Sequence, residues 1–500
     1  MLKYGKQTNK IAESKGFASA FPKRVTEAAK RLPTGIDKSE YPGRRDLTGE
    51  LIITIDGDTA KDFDDAVSLT VENGAYKLGV HIADVAEFVR AGTPPDAEAL
   101  ARATSVYFPG EVRPMLPREL SDELCSLKPD EDRLCLSVAM EIDGEGQVTG
   151  YEIFESVIHS AARMTYREAD QILSGGGEGT AGRYERVAPM LRDMRTLMWI
   201  LNKRRAERGS VDFDLPESEI TLDGSGEPTA LERAPRNDAN KLIEEFMLVC
   251  NETVARHARN RRLPFIYRVH EPPSAEKSEA FYTFCAGLGA FKGIRRGKTL
   301  TSKNLAGILK QAAGTAYGGL LDKVALRSMM KAKYKPVNEG HFGLAAEFYC
   351  HFTSPIRRYP DLFVHRVLKA ELRGELTAAK KAAFKSCAGR VADQSGERET
   401  AAEHAERSVD DLYKAVYMKR YLGDEFDAVI SGVTSFGIFA ELPNTAEGLI
   451  WIESLERGLK FVEDKYLLYG KKASYRMGDK IRVKVVRCDA DNGKIEFIKV

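Results

Sequence analysis

Five hundred residues, 43% hydrophobic and 30% charged, make a globular chain of roughly two to four domains and exclude a disordered or fibrous one. No run reaches the ~18 consecutive apolar residues of a membrane span and no signal pattern opens the chain, so a cytoplasmic location and no membrane partner are expected. The formal net charge is only +1, so nucleic-acid affinity has to come from a local basic channel and not from an overall cationic field.

In chain order, residues 1–44 carry Pro22, Pro33 and Pro42 in a sparse apolar pattern and read as a lead-in segment without a core of its own. From Leu51 the short β-like runs LIITI, AVSLTV and YKLGVHIADV follow, then helical stretches from about residue 93, so a mixed α/β unit is expected over 45–420. SGGGEGTAG at 174–182 reads as a flexible turn, and Asn240 to Arg262 as a helix with Leu242, Ile243, Phe246, Cys250 and Val254 on one face. After Gly423 the runs FDAVISGVT, GIFAEL, EGLIWI and KIRVKVVRC alternate between turn residues, which is an all-β barrel over 421–500. The seven cysteines are scattered, odd in number and never spaced CxxC, so free thiols, no disulfide framework and no zinc are expected.

The most informative stretch is Asp56-Gly57-Asp58-Thr59-Ala60-Lys61-Asp62-Phe63-Asp64-Asp65, five carboxylates in ten positions directly after a hydrophobic strand. Repulsion destabilises such a cluster unless cations neutralise it, and carboxylate oxygens are the ligands Mg²⁺ prefers. Metal-assisted phosphodiester hydrolysis is one reading; a solvated acidic turn is the other. A calcium loop is excluded, since its fifth, sixth and twelfth positions fall on Ala60, Lys61 and Val67. Arg296-Gly297-Lys298-Thr299 resembles the end of a phosphate-binding loop, but the required first glycine falls on Lys292.

Far downstream, His351-Phe352-Thr353-Ser354-Pro355-Ile356-Arg357-Arg358-Tyr359-Pro360-Asp361-Leu362 runs into a helical pattern. Two prolines stiffen the approach of two arginines to a helix N-terminus, a plausible clamp for an RNA backbone; a pair of surface arginines in a turn is the alternative.

The pattern TID-x₅-DFDDA, together with HFTSPIRRYPDL-x₂-HR and PMLPRELSDELCSLKP at 114–129, closely resembles the ribonuclease II and ribonuclease R (RNB) exoribonuclease family. The resemblance implies an α/β RNB catalytic domain followed by an S1 barrel of the OB-fold type. It implies a processive, monomeric 3′→5′ hydrolase acting on the 3′ end of single-stranded RNA and releasing nucleoside 5′-monophosphates. Asp56, Asp62, Asp64 and Asp65 would hold two magnesium ions, manganese being the substitute, with Asp64 the carboxylate tied most directly to cleavage. Arg357 would contact the scissile phosphate beside Arg358. Tyr107, Tyr166 and Phe213 would stack on or wedge the terminal bases, with ordinary core packing the alternative for the last two. Glu406 would lie near the site, and Glu245 or its neighbour Glu244 would face the RNA, the resemblance leaving open which. His351 and His365 would orient their loop. Phe436 and Phe439 would present rings on the S1 barrel, with a place in the barrel core the alternative for each; the barrel's twelve Lys/Arg against thirteen Asp/Glu over 423–500 leave it near neutral. A catalytically inert RNA-binding or adaptor protein on the same scaffold is the alternative function.

Overall fold

The computed structural model describes residues 3–176, 178–213, 217–288, 299–315, 318–463 and 466–500; the loop-like motif at 296–298 lies outside them. Eight strands open the fold: β1 (Arg45–Asp46), β2 (Ile52–Asp56), β3 (Asp65–Glu72), β4 (Ala75–Ala83), β5 (Val106–Phe108), β6 (Glu111–Arg113), β7 (Asp132–Ile142) and β8 (Val148–Thr165). β3 and β4 join through Asn73-Gly74, both at positive φ, the two-residue turn whose twist suits a hairpin.

The main sheet runs β1-β8-β2-β3-β4-β7, and β8 is long enough to pair with β7 along its first part and with β2 along its last. Five strands thereby close on themselves. Helical stretches were expected from residue 93, yet between there and β7 only Pro94–Arg102 and the short turn of helix Glu119–Leu124 are helical among the described residues. The reason lies in burial: DRLCLSVAMEI is nearly all buried along β7, so it shows none of the alternation that marks a half-exposed strand.

Ile52, Ile53, Val67, Leu78, Val80, Ile82 and Leu136 form the sheet's core and share one apolar cluster with residues of helices Asp238–Arg261 and Tyr359–Leu372. The first is capped at Asn237, which exchanges hydrogen bonds with Asn240, and ends at Arg262 in the left-handed conformation. Helix Glu178–Arg183 occupies part of the expected glycine-rich turn. The lead-in segment borrows a core: Ala12 and Phe17 are buried against helix Ala378–Met418.

The C-terminal closed barrel consists of Glu425–Thr434, Gly437–Glu441, Glu447–Trp451, Lys480–Asp489 and Lys494–Lys499. Its interior is not sealed off from the rest. Ile430, Ile438, Val483 and Phe497 belong to one apolar cluster with Leu320 and Leu321 of helix Gly318–Ser328 and with Ala415 and Met418 of the long helix. Among the described residues no helix is long and apolar enough to cross a membrane.

Candidate active site

Because β2 and β3 run antiparallel, the loop between them returns Asp65 to the sheet edge where Asp56 ends. Residues from the 114–129 motif pin this loop. Ser126 Oγ donates to the Lys61 carbonyl at 2.6 Å and accepts from Phe63 N at 3.0 Å, and Leu127 N donates to the Phe63 carbonyl. Asp58, fifth carboxylate of the run, is exposed and pairs with Arg167 at 3.3 Å.

The other four turn inward. Asp64 is 3% exposed; its Oδ1 accepts from Ile356 N at 2.8 Å, while its Oδ2 has only Arg357 Nε, 3.5 Å away. Asp56 Oδ2 is likewise buried without a hydrogen bond. Burial raises the carboxyl pKa of all four, helped at Asp56 by the charge of Asp65, and Asp65 reaches about 6 against the pull of Arg357 and Arg358. Buried carboxylates facing one guanidinium carry more negative charge than their neighbours neutralise. Unpaired oxygens in an all-carboxylate set fit hard divalent cations, and magnesium before zinc.

Arg357 arrives through backbone pairing. Ser105 N donates to the Arg357 carbonyl at 3.0 Å and Tyr359 N to the Ala103 carbonyl at 2.9 Å, so the strand leading to Tyr107 lies against the arginine segment. The Arg357 side chain is 42% exposed and is steadied by donating to Ser354 Oγ at 2.9 Å. Its neighbour turns the other way. Arg358 donates to Asp361 Oδ1 at 2.7 Å and is 18% exposed, which corrects the expectation of two phosphate-facing arginines: Arg357 faces the carboxylates and Arg358 anchors the helix start. His351 bonds to the Tyr334 hydroxyl and His365 to the Phe352 carbonyl; burial lowers both pKa values, His365 to about 4, so both rings are neutral supports.

Tyr107 joins three elements. Its backbone N donates to Glu406 Oε1 at 2.9 Å, its hydroxyl donates to Asp62 Oδ2 at 3.1 Å, and its ring is 39% exposed. Glu406, on the long helix, thereby holds the backbone of Tyr107. Tyr166 opens helix Tyr166–Leu173, directly after Thr165, which pairs with Asp56 across the sheet. It is half-buried, and burial together with the charges of Asp65 and Asp56 raises its hydroxyl pKa. Phe213 is half-buried against the cluster shared with the barrel, and no described contact ties it to the carboxylates.

The family model for the RNB domain matches residues 44–374, and that for the S1 RNA binding domain matches residues 421–499. The chain belongs to the RNB family. Ribonuclease R 1 of Lactococcus lactis is 41% identical over 97% of this RNB chain and 60% of its own length; Ribonuclease R of Aquifex aeolicus is 43% identical over 97% and 69%. The chain thus spans about 60–69% of the length of these relatives. A solved structure, Mycoplasma genitalium RNase R in complex with ribose methylated single-stranded RNA, superposes with a TM-score of 0.92 at 29% identity, covering 99% of this chain and 77% of that one.

The two adjacent glutamates are held differently: Glu245 points inward and Glu244 outward. Glu245 is 3% exposed, and its Oε1 accepts from Arg205 and from Asn202, whereas Glu244 is 38% exposed and pairs with Arg236. In this RNB chain Glu245 ties helix Asp238–Arg261 to helix Ala188–Arg208. The sequence reading also missed Trp451, 43% exposed with its ring 6.1 Å from Phe436; one more aromatic in an alternating strand was its only signal. Among the described residues, the carboxylates that gather within 4.8 Å are Asp84, Glu87 and Glu155, elsewhere in the fold. Arg44, Lys369 and Arg373 neutralise them, so they form a charge network and not a cation seat.

Proposed function

We propose that this chain is a magnesium-dependent exoribonuclease that shortens single-stranded RNA processively from its 3′ end and releases nucleoside 5′-monophosphates in the cytoplasm. The observation that carries the reading is the set of four inward carboxylates with unpaired Oδ2 atoms on Asp56 and Asp64, opposed by Arg357. Support comes from relatives named Ribonuclease R and from the likeness to an RNase R structure holding single-stranded RNA.

Asp56, Asp62, Asp64 and Asp65 would hold two divalent ions, which when bound supply charge compensation for the attacking and leaving oxygens. Arg357 contacts the scissile phosphate with a guanidinium already oriented by Ser354. The exposed ring of Tyr107 seats a terminal base while its hydroxyl keeps Asp62 in place. An inert scaffold has no need for buried, uncompensated carboxylates opposite an oriented arginine, which is the argument against that alternative.

The test is incubation with 5′-labelled oligo(A) and Mg²⁺, with and without chelator. A descending ladder is expected, abolished by chelation, with the deoxy-oligonucleotide of the same sequence left intact. Internal cuts, or comparable shortening of the deoxy strand, would remove the reading.

Tyr107 gives a second expected result. Tyr107→Ala removes a base stack worth roughly 1–3 kcal/mol, and digestion is expected to stop at a longer product. Tyr107→Phe keeps the ring and is expected to keep the end point. An unchanged product from Tyr107→Ala, alongside a large fall in melting temperature, would make the ring a core residue after all.

A further inference from the structure

The aromatic face of the barrel does not stop at the barrel. Phe436 and Trp451 stand 46% and 43% exposed, and Phe439 meets Phe436 edge-on with ring centroids 6.2 Å apart. Gly437 pairs with Trp451 across two strands, and a β-carbon on Gly437 would lie 2.3 Å from the Ile450 carbonyl oxygen, so a bare backbone is what lets these strands approach.

Beyond Phe439 lies a side chain from outside the barrel, Arg327, in the last turn of helix Gly318–Ser328. Phe439 Cδ2 and Arg327 Nη2 come within 3.4 and 3.7 Å of the point where a β-carbon of Gly432 would stand. The Arg327 guanidinium lies over the Tyr466 ring at 5.3 Å, and Tyr466 packs edge-on against Phe284 at 5.8 Å. Arg327 is exposed, and among the described residues no carboxylate lies within salt-bridge distance of it. Arg482, by contrast, is engaged by Asp427 at 3.1 Å and by Glu425 at 3.7 Å.

Rings bind bases but neutralise no phosphate, and a near-neutral barrel supplies no net field. A planar guanidinium with no carboxylate partner among the described residues, beside those rings, supplies the missing charge. We propose that Arg327 completes the aromatic face as a composite grip for single-stranded RNA, with Phe436, Phe439 and Trp451 stacking bases and Arg327 taking a phosphate between them. The proposal rests on the reading of this chain as an enzyme of single-stranded RNA. It makes the grip a property of the docked barrel: half of its chemistry belongs to the helical layer the barrel sits on.

The experiment uses the full chain carrying Asp64→Asn, so that RNA is held and not consumed, with 5′-fluorescent oligo(A) of about 20 nucleotides followed by anisotropy across a salt series. Arg327→Gln is expected to weaken binding about tenfold at low salt and to flatten the slope of log K against log salt by about 0.7, one phosphate on a single strand. Arg327→Lys, which keeps the charge, is expected to restore the slope. Adding Phe439→Ala to Arg327→Gln is expected to lose less than the product of the two single losses. Unchanged affinity for Arg327→Gln, or a loss with the slope unchanged, overturns the role of Arg327. Phe436→Ala separates the two levels of failure. If it weakens binding and Arg327→Gln does not, only the composite grip is wrong; if neither weakens binding, the barrel is not an RNA surface and this proposal fails whole, whereas the broader reading fails only if the parent chain neither binds nor shortens oligo(A).

Discussion

Asp64→Asn is expected to slow RNA hydrolysis by about 10³-fold or more, roughly 4 kcal/mol of transition-state stabilisation, while RNA binding stays close to that of the parent. The substitution changes charge without changing shape. Asparagine Oδ1 still accepts from Ile356 N, so the backbone contact that holds the arginine segment against the carboxylate loop survives. What disappears is one anionic oxygen from the set that faces Arg357. A stability effect of opposite sign accompanies the loss. Burial raises the Asp64 carboxyl well above its ordinary value, so its ionised form weighs against the metal-free fold at neutral pH, and that penalty is relieved as pH falls through the raised pKa. Asparagine removes the penalty at every pH. In chelator the variant is therefore expected to melt above the parent, and Mg²⁺ is expected to raise its melting temperature less. Parallel loss of binding and activity, or a lower melting temperature in chelator, would point to a structural carboxylate instead.

The parts of this site that were legible in the sequence are those where chemistry and local geometry coincide. A run of aspartates after a strand has to sit on the loop that follows it, and Pro360 has to sit in a first helical turn, as it does in helix Tyr359–Leu372. The alternating barrel strands were legible for the same local reason. What was not legible depends on partners distant in the chain. Glu244 and Glu245 are adjacent on one helix, and which of them turns inward is decided by Arg205 on another helix. Arg357 and Arg358 diverge because Asp361 captures the second and Asp64 attracts the first. The Tyr107 hydroxyl reaches Asp62 because Ala103 and Ser105 pair with the arginine segment, a register that no periodicity encodes. The lead-in segment read as a stretch without a core of its own because its partners lie far away in the chain. Arg44 is buried, with its Nη2 2.5 Å from Asp84 and 3.0 Å from both Glu87 and Glu155.

That buried network supports the last expected result: Lys369→Met should destabilise the fold by about 3–5 kcal/mol at neutral pH. Lys369 Nζ lies 2.5 Å from Asp84 Oδ2 and 2.7 Å from Glu87, and Asp84 is 1% exposed. Methionine fills similar volume and removes the charge, leaving Asp84 to Arg44 alone. Burial by itself would raise the Asp84 carboxyl, but Lys369 and Arg44 outweigh it and hold the pKa below the ordinary value of 3.8. In the parent the group therefore contributes stability above that value, and the contribution is lost as pH falls through the depressed pKa. Without Lys369 burial gains ground and the Asp84 pKa rises, so the variant binds a proton more readily when folded than the parent does. The deficit between variant and parent is accordingly expected to be largest near pH 7 and to shrink as the pH approaches 4, measured by denaturant unfolding at several pH values. Asp84→Asn combined with Lys369→Met is expected to recover part of the loss, because neither buried charge is then left without its partner. Activity should follow stability for a geometric reason: Lys369 fastens the far end of the helix whose N-cap is Arg358, with Arg357 just before it. Stability equal to the parent at pH 7, or a deficit that grows on acidification, would show that Lys369 does not neutralise Asp84.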